Sequence, residues 1–191
     1  MRFGIRFHWN LVPKYFLVGL IGAVIAGLYG VVHDQLTYSL SPEYFTRFKF
    51  HQFHYADPGL ESPRVFVAVI GFLATWWVGL ISGWMLARFA VLEDGEMLPI
   101  CLIIKHFFVI LATAILAGTL GWGWGLWRSS TGYAANWLSW MDDLQIHDRV
   151  AFMKVGYIHN FGYSGALLGL LFAILLLYRS KCRWLSATRR R

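Results

Sequence analysis

The chain has 191 residues, of which 58% are hydrophobic, 18% aromatic and only 14% charged, with a formal net charge of +7. This is too apolar for a soluble domain of that length, and it leaves room for one domain. No nucleic-acid recognition module accompanies the basic charge, so nucleic acid is set aside as a partner and the charge is read as an orientation and lipid signal.

Four stretches free of Asp, Glu, Lys and Arg follow in chain order, at 15–32, 65–87, 107–127 and 161–178. Each is long enough to cross a hydrocarbon core of about 30 Å as a helix rising about 1.5 Å per residue. None alternates in polarity as a barrel strand does, and a helix satisfies its own backbone where lipid offers no water. The expected fold is all-α, an integral membrane four-helix bundle in a single domain, 1–191. Loops at 33–64 and 128–160 share one side of the membrane, and the basic tail at 179–191 lies on the other. The first stretch follows Arg2, Arg6 and Lys14 but ends in Val31, Val32, His33 and Asp34 without a small-x-small cleavage site, so it is expected to be retained.

Lys and Arg fall mainly at the N-terminus, around the middle loop (Arg88, Lys105) and in the tail (Arg179, Lys181, Arg183, Arg189, Arg190, Arg191). The positive-inside rule then places both termini in the cytoplasm of a bacterial inner membrane and the two long loops outside. The tail can lie against anionic lipid, at about 1 kcal/mol per basic residue. Cys101 and Cys182 fall on the cytoplasmic side, where no disulfide is expected, and they match no CxxC pattern. The small pairs Gly22/Ala26, Gly79/Gly83 and Gly165/Gly169 allow close helix approach, either within a compact bundle or in a homo-oligomer or with another membrane protein.

After the first stretch come His33, Asp34, Gln35 and Thr37, then Ser41, a capping residue, and Pro42, which suits a first helical turn. A helix over 42–54 turning by 100° per residue puts Glu43, Arg47, Phe50, His51 and His54 on one face, with Tyr44, Phe45, Phe48 and Phe53 on the others. It reads as an interfacial helix in the first external loop, aromatic side toward the membrane or the bundle, with Lys49 solvated. The elements Asp34-Gln35-x-Thr37 and Pro42-Glu43-Tyr44-Phe45-Thr46 resemble those of a group of bacterial multi-pass membrane proteins that carry D-Q-x-T followed by P-E-Y-F-T in their first external loop. The group has no assigned activity, and the resemblance, over about a tenth of the chain, implies only that this loop is the working part.

In the third stretch Lys105 and His106 are expected to reach the interface at its cytoplasmic end, with Glu93, Asp94 and Glu96 nearby. Trp122, Trp124 and Trp127 read as an interfacial belt at its other end. The second external loop clusters Asp142, Asp143, His147 and Asp148, and His159 and Asn160 stand at the mouth of the last stretch.

Five of the seven histidines thus belong to one side. The candidate ligands for a divalent transition metal are His33, Asp34, Glu43, His51, His54 and His159, a set whose imidazoles and carboxylates suit zinc, iron, copper or manganese. No GxSxG, phosphate loop or dinucleotide glycine pattern is present. Three functions are expected from these features. An accessory membrane protein whose polar external loops bind a partner comes first, because nothing in the sequence demands chemistry. A metal-dependent membrane enzyme or metal-handling protein with its site at the outer face is the second. A haem electron carrier with His33 and His159 as an axial pair is the third.

Overall fold

A computed structural model describes residues 8–54, 62–92, 94–132 and 135–188. Arg2, Arg6, Pro58, Glu93 and the last three arginines of the tail lie outside the described residues. The described chain is helical, with one isolated antiparallel bridge between Val91 and Met97. A 3-10 turn, Trp9–Leu11, leads into α1 (Val12–Leu40); a π-helical turn, Tyr44–Lys49, leads into α2 (Phe50–Gln52); then follow α3 (Pro63–Phe89), α4 (Ile100–Ser130), α5 (Ala135–Asp143) and α6 (Arg149–Thr188). α1, α3, α4 and α6 are each long and apolar enough to cross a membrane, and the chain is a multi-pass membrane protein of all-α fold.

The helices overrun the apolar stretches that announce them. α1 continues through His33 and Asp34 to Leu40 because its polar residues find partners without leaving the helix. Thr37 Oγ1 donates back to the His33 carbonyl at 3.1 Å, Ser39 Oγ to the Gln35 carbonyl at 3.1 Å, and Gln35 Nε2 to the Arg64 carbonyl at 2.7 Å. At the other end of the chain α6 starts at Arg149, so His159 lies well inside a helix and not at its mouth. Much of the expected second loop is helical too, as the end of α4, as α5 and as the start of α6. The 40 residues of α6 span about 60 Å, twice a hydrocarbon core.

Packing divides the bundle into two antiparallel pairs, α1 with α3 and α4 with α6. Backbones touch within each pair: a β-carbon on Gly22 would run into the Gly79 carbonyl, one on Gly30 into that of Gly71, and one on Gly169 into the Thr113 side chain. The small-residue pairs of the sequence are thus used inside the chain, where lipid supplies no hydrophobic force to join helices and close contact must do so. The two pairs echo one another. Lys14, Val18, Leu20, Ala23, Ala26, Gly27 and Gly30 recur at identical spacing as Lys105, Val109, Leu111, Ala114, Ala117, Gly118 and Gly121. Gly30 meets α3 as Gly121 meets α6.

Between the pairs, packing is sparser. One core cluster joins them near the termini through Leu11, Tyr15, Leu86, Ile103, Phe107 and Leu177. Here His106 is buried against α6: Nδ1 lies 2.7 Å from the Leu102 carbonyl and Nε2 3.1 Å from Ser180 Oγ. The Lys181 ammonium donates to the Val91 carbonyl, while Lys105 is exposed as expected. A second cluster closes the opposite end, which we call the distal end, with Tyr44, Phe45, Val67, Met141, Ile146 and Phe152. Trp122, Trp124 and Trp127 are exposed on the outside of the bundle, as a belt requires.

Candidate metal centre at the distal end

Three elements converge here. α1 contributes His33 and Asp34, α6 contributes His159, and the segment 42–52 folds over them as a lid. The lid begins where expected, with Ser41 Oγ accepting from the Tyr44 amide at 3.4 Å, but its middle is a π turn. That wider turn puts Tyr44, Phe45 and Lys49 together on the buried face. Tyr44 stacks on the His159 ring at 4.9 Å and 26°, and Phe45, fully buried, meets the same ring edge-on at 6.2 Å. The aromatic side of the lid therefore caps the bundle.

Asp34 is buried, and both histidines turn toward one of its oxygens. His33 Nδ1 lies 3.1 Å and His159 Nε2 3.2 Å from Asp34 Oδ1. The other nitrogen of His159, Nδ1, is 2.9 Å from the Val155 carbonyl, a pure acceptor, and so carries a hydrogen. A neutral His159 then presents a lone pair to a carboxylate oxygen, an arrangement that requires a proton or a cation between them. The three ligand atoms all lie within 4.8 Å of one another. Ligands held about 2.0 to 2.2 Å from an ion stand about 3.0 to 3.5 Å apart along the edges of its coordination shell, and the two contacts to Asp34 Oδ1 fall in that range. The Nδ1–H contact to Val155 is the kind of outer hydrogen bond that would fix the ring of a ligating imidazole.

The other candidates go elsewhere. Glu43 turns to the start of α6: Oε1 accepts from the His147 amide at 3.2 Å and faces His147 Nδ1 at 3.0 Å, and Oε2 accepts from the Asp148 amide at 2.8 Å. Asp148 Oδ1 in turn accepts from the Ala151 amide at 2.9 Å and caps the helix. Burial opposes the charge of Glu43, but the Asp148 and His147 amides and the His147 ring outweigh it and hold the carboxyl below its ordinary value. His51 and His54 are exposed, and the π turn rotates them off the face a regular helix would give them. Lys49, expected in solvent, is buried. Of the cluster in the second loop, Asp142 binds Arg149 and His147 reaches across to Glu43 of the first loop.

The grip of Glu43 on two amides gives a stability prediction. Glu43→Ala should destabilise the protein by about 1 to 3 kcal/mol, whereas His147→Ala, which leaves both amide bonds, should cost well under 1 kcal/mol. Thermal unfolding in detergent reads both. Because Glu43 is held below its unfolded value, its contribution should be complete above the ordinary carboxyl value and fade as pH falls through the lower, folded one.

Below the three ligands a cavity of about 70 Å3 runs between the two helix pairs. Its walls are apolar apart from Tyr29, Thr75, Ser82 and Tyr163 and the three ligands at its distal end. His33 and His159 meet edge-on at 4.9 Å and 84°, both aimed at Asp34, and so leave no slot for a porphyrin between them. Neither a family model, nor a curated protein, nor a solved structure matches this chain.

Proposed function

We propose that this is a metal-binding membrane protein, with one divalent transition metal held by His33, Asp34 and His159 where the two helix pairs meet. The observation that supports it best is the convergence of three ligand atoms within 4.8 Å from two pairs that otherwise pack sparsely. Two imidazoles and one carboxylate suit zinc, iron or manganese, and they leave positions open for water or substrate, as catalytic sites do and closed structural sites do not. Metal-assisted chemistry or metal handling at the membrane face is therefore the reading, placed on the outer side of a bacterial inner membrane by the Lys and Arg bias of the sequence. The basic end of α6 would then meet anionic lipid of the inner leaflet.

The partner-binding reading draws less support from the site. Glu43, Gln35 and Arg64 look outward in the sequence, yet they bind within the chain, Arg64 Nη1 to Gln35 Oε1 at 3.0 Å and Nη2 to Ser39 Oγ at 3.1 Å. Elemental analysis of detergent-purified protein tests the proposal. About one equivalent of metal per chain is expected, removable by a strong chelator with a fall in Tm. Metal below about a tenth of an equivalent after incubation with zinc, iron and manganese in turn would refute it.

A further inference from the structure

Lys49 is 6% exposed, yet among the described residues its ammonium has no hydrogen-bond or ion-pair partner. Only the faces of Phe48 and Phe53 attend it, each ring centre 5.8 Å from Nζ. Phenyl faces return little of the cost of burying a lysine, and such residues are seldom buried without a partner. Burial accordingly pushes its ammonium below the ordinary value, opposed by Asp34. Lys49 shares the inner face of the π turn with Tyr44 and Phe45, whose rings meet His159.

The charges around the centre do not balance. A divalent ion with one carboxylate and two neutral imidazoles keeps a positive charge, and Lys49, on the buried face of the lid that covers it, adds a second. Three protein donors also leave the ion's shell incomplete. The group that completes such a centre is an anion with oxygen donors. On the membrane side the same ligands close the apolar cavity of about 70 Å3, which has room for a few carbon atoms and offers almost no polar partner along its walls.

We infer that the centre takes an oxyanion borne on a short apolar chain, the oxyanion on the metal with Lys49 as its counter-charge and the chain in the cavity between the helix pairs. The inference rests on the metal reading and adds the class of ligand to it. Lys49 then has a reason to lie on the inner face of the lid: the ligand supplies the partner that the described residues do not.

Cobalt-loaded protein in detergent, titrated with acetate, butyrate and inorganic phosphate and followed by its visible bands, tests this. Both carboxylates should shift the bands, butyrate roughly tenfold more tightly for its two further methylenes. Lys49→Met should keep the cobalt bands, raise Tm because a buried charge is gone, and weaken butyrate binding at least tenfold. Cobalt bands that no anion moves, a Lys49→Met protein that titrates like the parent, or phosphate binding more tightly than butyrate would each overturn the inference while leaving the metal centre standing. Failure of cobalt to bind at all would remove the metal reading and this one with it.

Discussion

Asp34→Asn should leave the protein folded and without its metal. Asp34 is the sole carboxylate of the proposed centre, and its Oδ1 faces both imidazoles. The amide keeps the size of the side chain but loses the charge that makes the set attractive to a dication, and its NH2 group would face two ring nitrogens. A loss of at least 100-fold in affinity is expected, since removing even an outer partner of a metal ligand costs about 10- to 100-fold. Elemental analysis should fall from about one equivalent to near none, and the Tm of the variant should stop responding to chelator. Gln35→Ala is the control, because Gln35 joins α1 to Arg64 and touches none of the three ligands. It should retain its metal. Full metal content in Asp34→Asn would remove Asp34 from the centre.

Gly79→Val should prevent the first helix pair from forming. A β-carbon at Gly79 lands on the Gly22 carbonyl oxygen and against the Ala26 methyl, so two backbones would have to separate. Overpacking against movable side chains costs about 1 to 3 kcal/mol, and here the obstacle is backbone, so the loss should lie at or above the top of that range. Gly123→Val offers the contrast, because no atom lies within 4 Å of a β-carbon there. It should be close to neutral. Size-exclusion profiles and thermal unfolding of the two proteins in the same detergent compare them directly. Equal behaviour would mean that α1 and α3 do not touch along this seam.

The four membrane helices were legible in the sequence because freedom from charge over a sufficient length is a property of the lipid they cross. Their ends were not. Apolarity marks hydrocarbon and not helix, so α1 runs on through His33 to Leu40 on hydrogen bonds that Thr37, Ser39 and Gln35 make locally. The lid was legible from Ser41, Pro42 and its aromatic residues, but its phase was not. A π turn has no strong sequence mark, and it moved Lys49 inward and His51 and His54 outward. The depth shared by His33, Asp34 and His159 could be read from the edges of the apolar stretches. The attachment of Glu43 could not, because its partners lie 104 and 105 residues away, in the turn that leads into α6. Pairing of α1 with α3 and of α4 with α6 was hidden for a similar reason, since small-residue pairs state that a seam exists and not which helix fills it.

The echo between the two helix pairs bears on the symmetry of the centre. The recurrence keeps Lys14 and Lys105, Ala26 and Ala117, and Gly30 and Gly121 in step along α1 and α4. Continued in the same register, His33 falls on Trp124 and Asp34 on Gly125, a ring without a basic nitrogen and a residue without a side chain. The α1–α3 pair thus brings two groups of the proposed centre, and the α4–α6 pair gives, from α6, a single histidine. Two identical copies facing each other would have offered a symmetric pocket with twice the donors. The chain instead puts charge on the α1 wall of that pocket and none at the matching positions of α4, and the proposed site is therefore directional, approached differently from its two sides.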